Sequence, residues 1–170
     1  EFEERALTNG RIYLPVAGLK RDFSAIEDRE QLKAAIEADF RASSEKEPAM
    51  LSTPLWTFAQ RLSIGDWVVM PSKLDKGIIH VSEITSACEY YPDDEHDLTH
   101  SRRVNWLARN VNKDAFRQEL QRVFNAPQDV FQIKRQADVD YFSMLADNDW
   151  APPERRVAEK APTKTQPRPP

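Results

Sequence analysis

A single cysteine, Cys88, and only four glycines stand in this chain of 170 residues. One cysteine closes no intrachain disulfide and builds no cysteine-rich zinc site; Cys88 reads as a small buried strand residue. Four scattered glycines leave no Gly-rich phosphate loop. No apolar run approaches the length of a membrane span and no signal-peptide pattern opens the chain, so no membrane partner and a cytoplasmic setting are expected. Pro92-Asp93 invites a metal-dependent nuclease reading, but no Asp-x-Lys or Glu-x-Lys triplet exists to complete it. His96 and His100 are four apart, yet they fall in a loop and at a strand start. With Asp93, Asp94 and Asp97 they read as a solvated acidic loop rather than a metal site. No catalytic set is assembled, so neither an enzyme nor a cofactor is expected in this stretch.

Charge is present but uneven. The last twenty residues hold six prolines, no aromatic residue, and five basic against two acidic residues, a net of +3; the chain's −4 therefore leaves −7 on residues 1–150. The tail cannot bury enough apolar surface to fold and reads as a disordered tail or linker over 148–170, after one folded domain over 1–147. A body at −7 is no generic nucleic-acid binder, because non-specific affinity rests on phosphate neutralisation. Binding would have to come from a local basic patch, a base pocket or a basic partner domain. The chain opens at Glu1 without methionine, so a preceding piece is expected.

Glu1 to Ala6 is charged with Phe2 embedded and fits a helix turn. Asn9-Gly10 is a turn, and Arg11–Val16 a short strand with Pro15 at an edge or end. Asp28 opens a helix with Gln31 at capping-box spacing; Leu32, Ala35, Ile36 and Phe40 form its apolar stripe. Thr53-Pro54 starts a second helix with stripe Leu55, Phe58, Ala59 and Leu62, and Trp56 on the flank. Trp67–Met70 and Ile78–Ile84 are strands, the latter with Ile79 and Val81 opposite His80 and Ser82. Ala87–Tyr91 continues the sheet after a bend. In the strand His100–Leu107, His100, Arg102, Val104 and Trp106 share one face; Ser101, Arg103, Asn105 and Leu107 share the other. Asn112 caps a helix with stripe Phe116, Leu120, Val123 and Phe124. A closing strand over Asp129–Lys134 and a last helix with Val139, Phe142 and Leu145 follow. The fold class is α+β: a small curved or barrel-like, mostly antiparallel sheet flanked by helices.

What chemistry remains is aromatic and cationic. Trp56, Trp67, Tyr90, Tyr91 and Trp106 cluster in or near the central stretch, Tyr13 joins from the first strand, and His100, Arg102 and Arg103 lie among them. Such aromatics are core residues as a rule, but their faces also stack on bases, and arginine pairs with phosphates or guanine edges. Arg102 and Arg103 point to opposite faces, so at most one lines a given pocket.

The segments EERAL (3–7), DFSAIEDREQLK (22–33), LWTF (55–58), IGDWVVMP (64–71) and YYPDDEHDLTHSRRVNWL (90–107) resemble, in order over about residues 3–133, a bacterial family. It is the N-terminal domain of restriction endonucleases whose C-terminal half is an Mrr-type nuclease. The resemblance implies a PUA-like barrel of the EVE and YTH group, and recognition of a modified, flipped base that directs the nuclease to modified foreign DNA. The leading reading is a DNA-recognition module whose base pocket has Trp56 with Tyr90 or Tyr91 stacking on the base, Trp67 forming or supporting the wall and Tyr13 joining from the first strand. Ser52 or Thr53 would add polar contacts, with His100, Arg102 and Arg103 on the nucleic-acid backbone. Two departures are visible: the family commonly starts with a further strand carrying an aromatic and a basic residue, and this chain begins after it or lacks it; and Leu51 and Pro54 stand where the family has Trp and Gln. The Pro-rich tail sits where a linker to the nuclease would begin. Two other readings stand beside this one: a regulatory domain sensing a nucleotide or other small ligand, which the −7 body suits, and a protein-interaction scaffold.

Overall fold

Turn and cap chemistry set the first elements. The computed structural model describes residues 2–15, 21–43, 51–125, 133 and 135–151. Helix α1 (Phe2–Asn9) runs eight residues, further than a single turn. Gly10, at φ +61°, reverses the chain into β1 (Arg11–Leu14), a backbone conformation only glycine adopts freely. The Asp28 side chain accepts the Gln31 N–H at 2.9 Å and caps α2 (Arg29–Ser43), which buries Leu32, Ala35 and Ile36. The Phe40 side chain, Val16, the strand expected over Asp129–Lys134 (save Ile133) and the tail beyond Ala151 lie outside the described residues.

Helix α3 (Ser52–Trp56) passes directly into a π-helical turn over Thr57–Arg61. The strands β2 (Trp67–Pro71) and β3 (Ile78–Ile84) form a hairpin; β4 is only Glu89–Tyr90, and β5 (His100–Asn112) is five residues longer than the strand expected from the sequence. All pairings are antiparallel, in the order β1-β5-β3-β2, with β4 on β5 as well. Register slips opposite Ile79–Val81 and Val81–Ser82 insert extra β5 residues, and Asn110 takes φ +60° there. Such bulges bend a strand and raise its twist, which curls this sheet into a half-barrel. The architecture is α+β, a curled antiparallel sheet flanked by helices.

Alternation on the strands then sorts two cores. Ile12, Leu14, Ile84 and Val104 face inward and pack with Phe23, Leu32, Ile36, Leu55 and Phe58. Ile79, Val81 and Val111 face the other way and lie under Phe116, α4 (Gln118–Phe124) and α5 (Gln136–Asp147). Full burial of each such side chain contributes about 1.5–3 kcal/mol. Asn112 caps through its side chain, accepting the Asp114 N–H at 2.9 Å, but what it caps is a 3₁₀ turn over Lys113–Ala115. Phe116 is therefore a linker residue before α4, not the first of its stripe.

Candidate functional site

The long strand β5 carries polar side chains on both faces, and each face builds a different constellation. On the inner face His100 and Arg102 are 2% and 3% exposed. The Arg102 guanidinium donates from Nε to Phe58 O at 2.7 Å, from Nη2 to Ala59 O at 3.0 Å and from Nη1 to Ser86 O at 3.2 Å. A π turn leaves carbonyls outside the ordinary helical ladder. Arg102 satisfies two of them and ties the turn to the sheet. That turn begins immediately after Trp56, which is half-buried against the inner core. Gln60, inside the turn, donates to Ser24 O and Ile26 O, both at 2.9 Å, and so fastens the segment 21–28.

His100 fastens the same segment from below. The Phe23 N–H donates to His100 Nε2 at 3.0 Å, so the ring is the neutral Nδ1–H tautomer, with Nδ1 at 3.1 Å from Thr99 Oγ1. Tyr90 lies over the ring at 5.0 Å between centroids and Phe23 at 5.7 Å. Trp56 and Tyr90 thus sit on the inner side of the sheet, Trp56 just before the turn that Arg102 holds and Tyr90 on the His100 ring. Ser52 is buried at the start of α3, and Thr53 is exposed, accepting from Arg29 at 3.3 Å.

The outer face differs. Glu89 accepts from Arg11 at 2.7 Å and from Arg103 Nε at 3.0 Å. Arg11 also donates to Ser101 Oγ and Tyr91 Oη, each at 3.0 Å, and its guanidinium stacks on the Tyr91 ring. Burial raises the Glu89 carboxyl, but hydrogen bonds from Tyr91 and Arg11 outweigh it and hold the group below the usual range. Tyr13 receives the Arg5 guanidinium on its ring. Arg5 pairs with Asp94, whose carboxyl that bond holds down to about 2. A shallow depression of about 370 Å³ opens beside them, lined by Arg5, Asp93, Asp94, Glu95 and His96.

The sequence-expected pocket therefore falls into three places. Trp56, Ser52 and Tyr90 are on the inner side; Tyr13 and Tyr91 are on the outer face. Trp67, 42% exposed, starts β2 and packs on Trp150 at 6.1 Å. Of the residues expected on a nucleic-acid backbone, His100 and Arg102 are interior and engaged with the protein itself, which corrects that expectation. Arg103 alone reaches solvent, with 61% of its side chain exposed. Sequence reasoning missed Arg11, Glu89, Gln60 and Asp22. Only Asp22, through Asp-x-Ser, carried a local signal, that of an Asx turn.

Cys88 is half-buried, and burial pushes its thiol up to about 11, so it is no thiolate at neutral pH. No group of three His, Cys, Asp or Glu that could hold a metal ion occurs among the described residues. None of their helices is long and apolar enough to cross a membrane.

Two buried pairs give the domain a readable acid response. Burial holds the His100 pKa below its ordinary 6.5. Folding favours the neutral ring, so its contribution is complete above about 6.5 and is lost as the pH falls through the folded value. Glu3 accepts from Ser72 Oγ, His80 Nε2 and the N–H groups of Lys73 and Leu74. Burial alone would raise its carboxyl, but these bonds bring it from 4.5 to about 2. Its contribution is present above 4.5 and lost as the pH falls towards 2. Urea midpoints followed from neutral to acid pH are expected to fall in both windows, His100→Gln losing the upper fall and Glu3→Gln reducing the lower, to which Asp94 also contributes. Variants with the unaltered wild-type profile would contradict this.

The family profile described as "Domain of unknown function (DUF8426)" matches residues 1–128. No curated protein and no solved structure matches the chain.

Proposed function

We propose that this chain, which belongs to the DUF8426 family, is a DNA-recognition module that reads a modified base and directs a nuclease domain in the same polypeptide, as in a modification-dependent restriction system. The observation that carries the reading is the placement of Trp56 and Tyr90. Both are half-buried aromatics on the inner side of the sheet: buried Arg102 holds the turn that follows Trp56, and Tyr90 lies on the ring of buried His100, which itself holds the Phe23 N–H. Rigidly supported aromatic faces are what stacking on an extruded base requires. Arg103, with a largely exposed guanidinium one residue beyond Arg102, supplies the contact to a phosphate. The finer PUA-like, EVE-related identity of the half-barrel belongs to the same proposal. This domain binds, and the chemistry lies in the nuclease.

The test is binding of the chain to matched duplexes, unmodified and carrying methylated or hydroxymethylated bases, at two salt concentrations. One modified duplex is expected to bind tightest. Trp56→Ala or Tyr90→Ala should weaken that duplex by about tenfold or more, since base–aromatic stacking contributes roughly 1–3 kcal/mol. Arg103→Gln should weaken all duplexes alike and reduce the salt slope by about 1. Equal, negligible binding to every duplex would sink the reading. The net −7 of residues 1–150 favours the second reading, a nucleotide sensor using the same aromatic pair. A nucleotide that raises the melting temperature without DNA would then take precedence.

A further inference from the structure

Tyr90 sits in an acidic surround. Besides burial, the charges of Asp22, Asp93 and Asp39 push its phenol pKa up. Two of these acids are otherwise accounted for: Asp39 pairs with Arg21 at 2.7 Å, and Asp93 is exposed on the acidic loop. Asp22 is half-buried and adjoins Phe23, whose N–H is held by His100, the ring on which Tyr90 lies. Its charge acts on Tyr90, Cys88 and His100 alike. Within the Asp22 carboxylate the two oxygens differ. Oδ1 accepts from the N–H of Ser24 at 2.9 Å and from its hydroxyl, which fixes the side chain. Oδ2 has no hydrogen-bond partner among the described residues.

A fixed, half-buried acceptor beside an aromatic face selects for a donor. We infer that Asp22 is the specificity-determining residue of the base site and accepts a hydrogen bond from an exocyclic amino group, so that the base read is a derivative of cytosine or adenine. This rests on the DNA-recognition reading above. Cytosine N4 and adenine N6 carry that donor, and an Asp carboxylate is a natural acceptor for cytosine N4. Thymine and uracil place a carbonyl oxygen at the same position. It would meet the carboxylate oxygen as one acceptor against another, both desolvated.

The comparison uses pairs of bases that differ at this one group. Duplexes of the same sequence carry 5-hydroxymethylcytosine or 5-hydroxymethyluracil, and N6-methyladenine or hypoxanthine, each opposite its pairing partner. In the pair the chain prefers, the amino-bearing member is expected to bind about tenfold or more tighter, the size of one hydrogen bond to a charged group. Asp22→Asn, which can donate as well as accept, should bring that ratio to within about threefold, and Asp22→Glu, which keeps the acceptor, should restore part of it. A carbonyl member that binds as tightly in wild type overturns the inference, and that comparison stands even if a variant unfolds. So does an Asp22→Asn chain with the wild-type melting temperature and the full wild-type ratio. Binding to no duplex at all removes the DNA reading itself, a result distinct from binding without discrimination of the amino group.

Discussion

Replacing Arg102 by methionine is expected to destabilise the domain by about 3–5 kcal/mol, a fall of the thermal midpoint on the order of 10 °C. The hydrocarbon of methionine fills much of the same space, so the loss is in hydrogen bonds rather than volume. Phe58 O, Ala59 O and Ser86 O all take their donor from this one guanidinium. Hydrogen bonds to a charged group contribute about 1.5–3 kcal/mol each, and a buried carbonyl left without a donor bears its full desolvation. The three bonds share one side chain, so their values do not simply add. Burial pulls the Arg102 pKa down, but a guanidinium stays charged throughout the working range and its removal has no protonation escape. Arg102→Lys keeps the charge without the planar fork, reaches fewer of the three carbonyls, and should fall between. Urea unfolding measures the effect, and a loss below about 1 kcal/mol would show that the π turn is held by something else. Because Trp56 immediately precedes that turn, any folded Arg102 variant should also lose base discrimination. Arg103→Gln, on the other face, should leave stability unchanged and lower only affinity.

Phe116→Ala is expected to cost about 3–5 kcal/mol through a different mechanism, the loss of buried area and the cavity left behind. Phe116 is buried at the centre of an aromatic set: Phe142 at 5.0 Å, Phe124 at 5.1 Å and Tyr141 at 6.0 Å between centroids. It belongs to neither α4 nor α5 but packs against side chains of both, where they cover Ile79, Val81 and Val111. The Tyr141 hydroxyl donates to Ala115 O next to it, so the cavity would loosen that contact too. Phe116→Leu, which retains most of the volume, should cost about 1–2 kcal/mol. The readout that separates the two large effects is hydrogen exchange. Phe116→Ala should release protection in α5 first, whereas Arg102→Met should release it around residues 57–61. Equal loss everywhere in both variants would mean that the two cores do not open separately. At temperatures where it stays folded, Phe116→Ala should keep its preference among modified duplexes, since no side chain of the proposed site touches that core.

Local chemistry was legible where it is self-contained. Asp28 could be read as a cap because the bond it makes, to the Gln31 N–H, lies within one turn. The alternation of Ile79 and Val81 against His80 and Ser82 announced two faces, and both faces are buried. On β5 the split between Arg102 and Arg103 followed from the strand period alone, and it holds: one is interior and the other at the surface. Asn112 was read correctly as a cap but not for what it caps, because a 3₁₀ turn and the first turn of a helix present the same orphan N–H groups to a side chain. The π turn after Trp56 had no sequence signature. It exists because donors distant in sequence, on Arg102, meet its carbonyls.

By itself the sequence determined the α+β class, the apolar stripes of α2 and the helix after Thr53, and the two faces of β3 and of β5 up to Leu107, since these depend on hydrophobic period, turn residues and caps within a few positions. Only the tertiary structure decided which aromatics lie on the same side of the sheet. Tyr90 and Tyr91 are neighbours in the chain, but Tyr90 lies on the His100 ring while Tyr91, just past β4, bonds Arg11 and Glu89 on the outer face, and Trp67 is drawn away to Trp150. It also decided that His100 and Arg102 are supports rather than contacts. Whether a polar side chain meets solvent or a buried carbonyl depends on what packs over its face. Here the covering segments, 21–28 and 57–61, lie more than forty residues before Arg102 in the chain, beyond the reach of any local pattern.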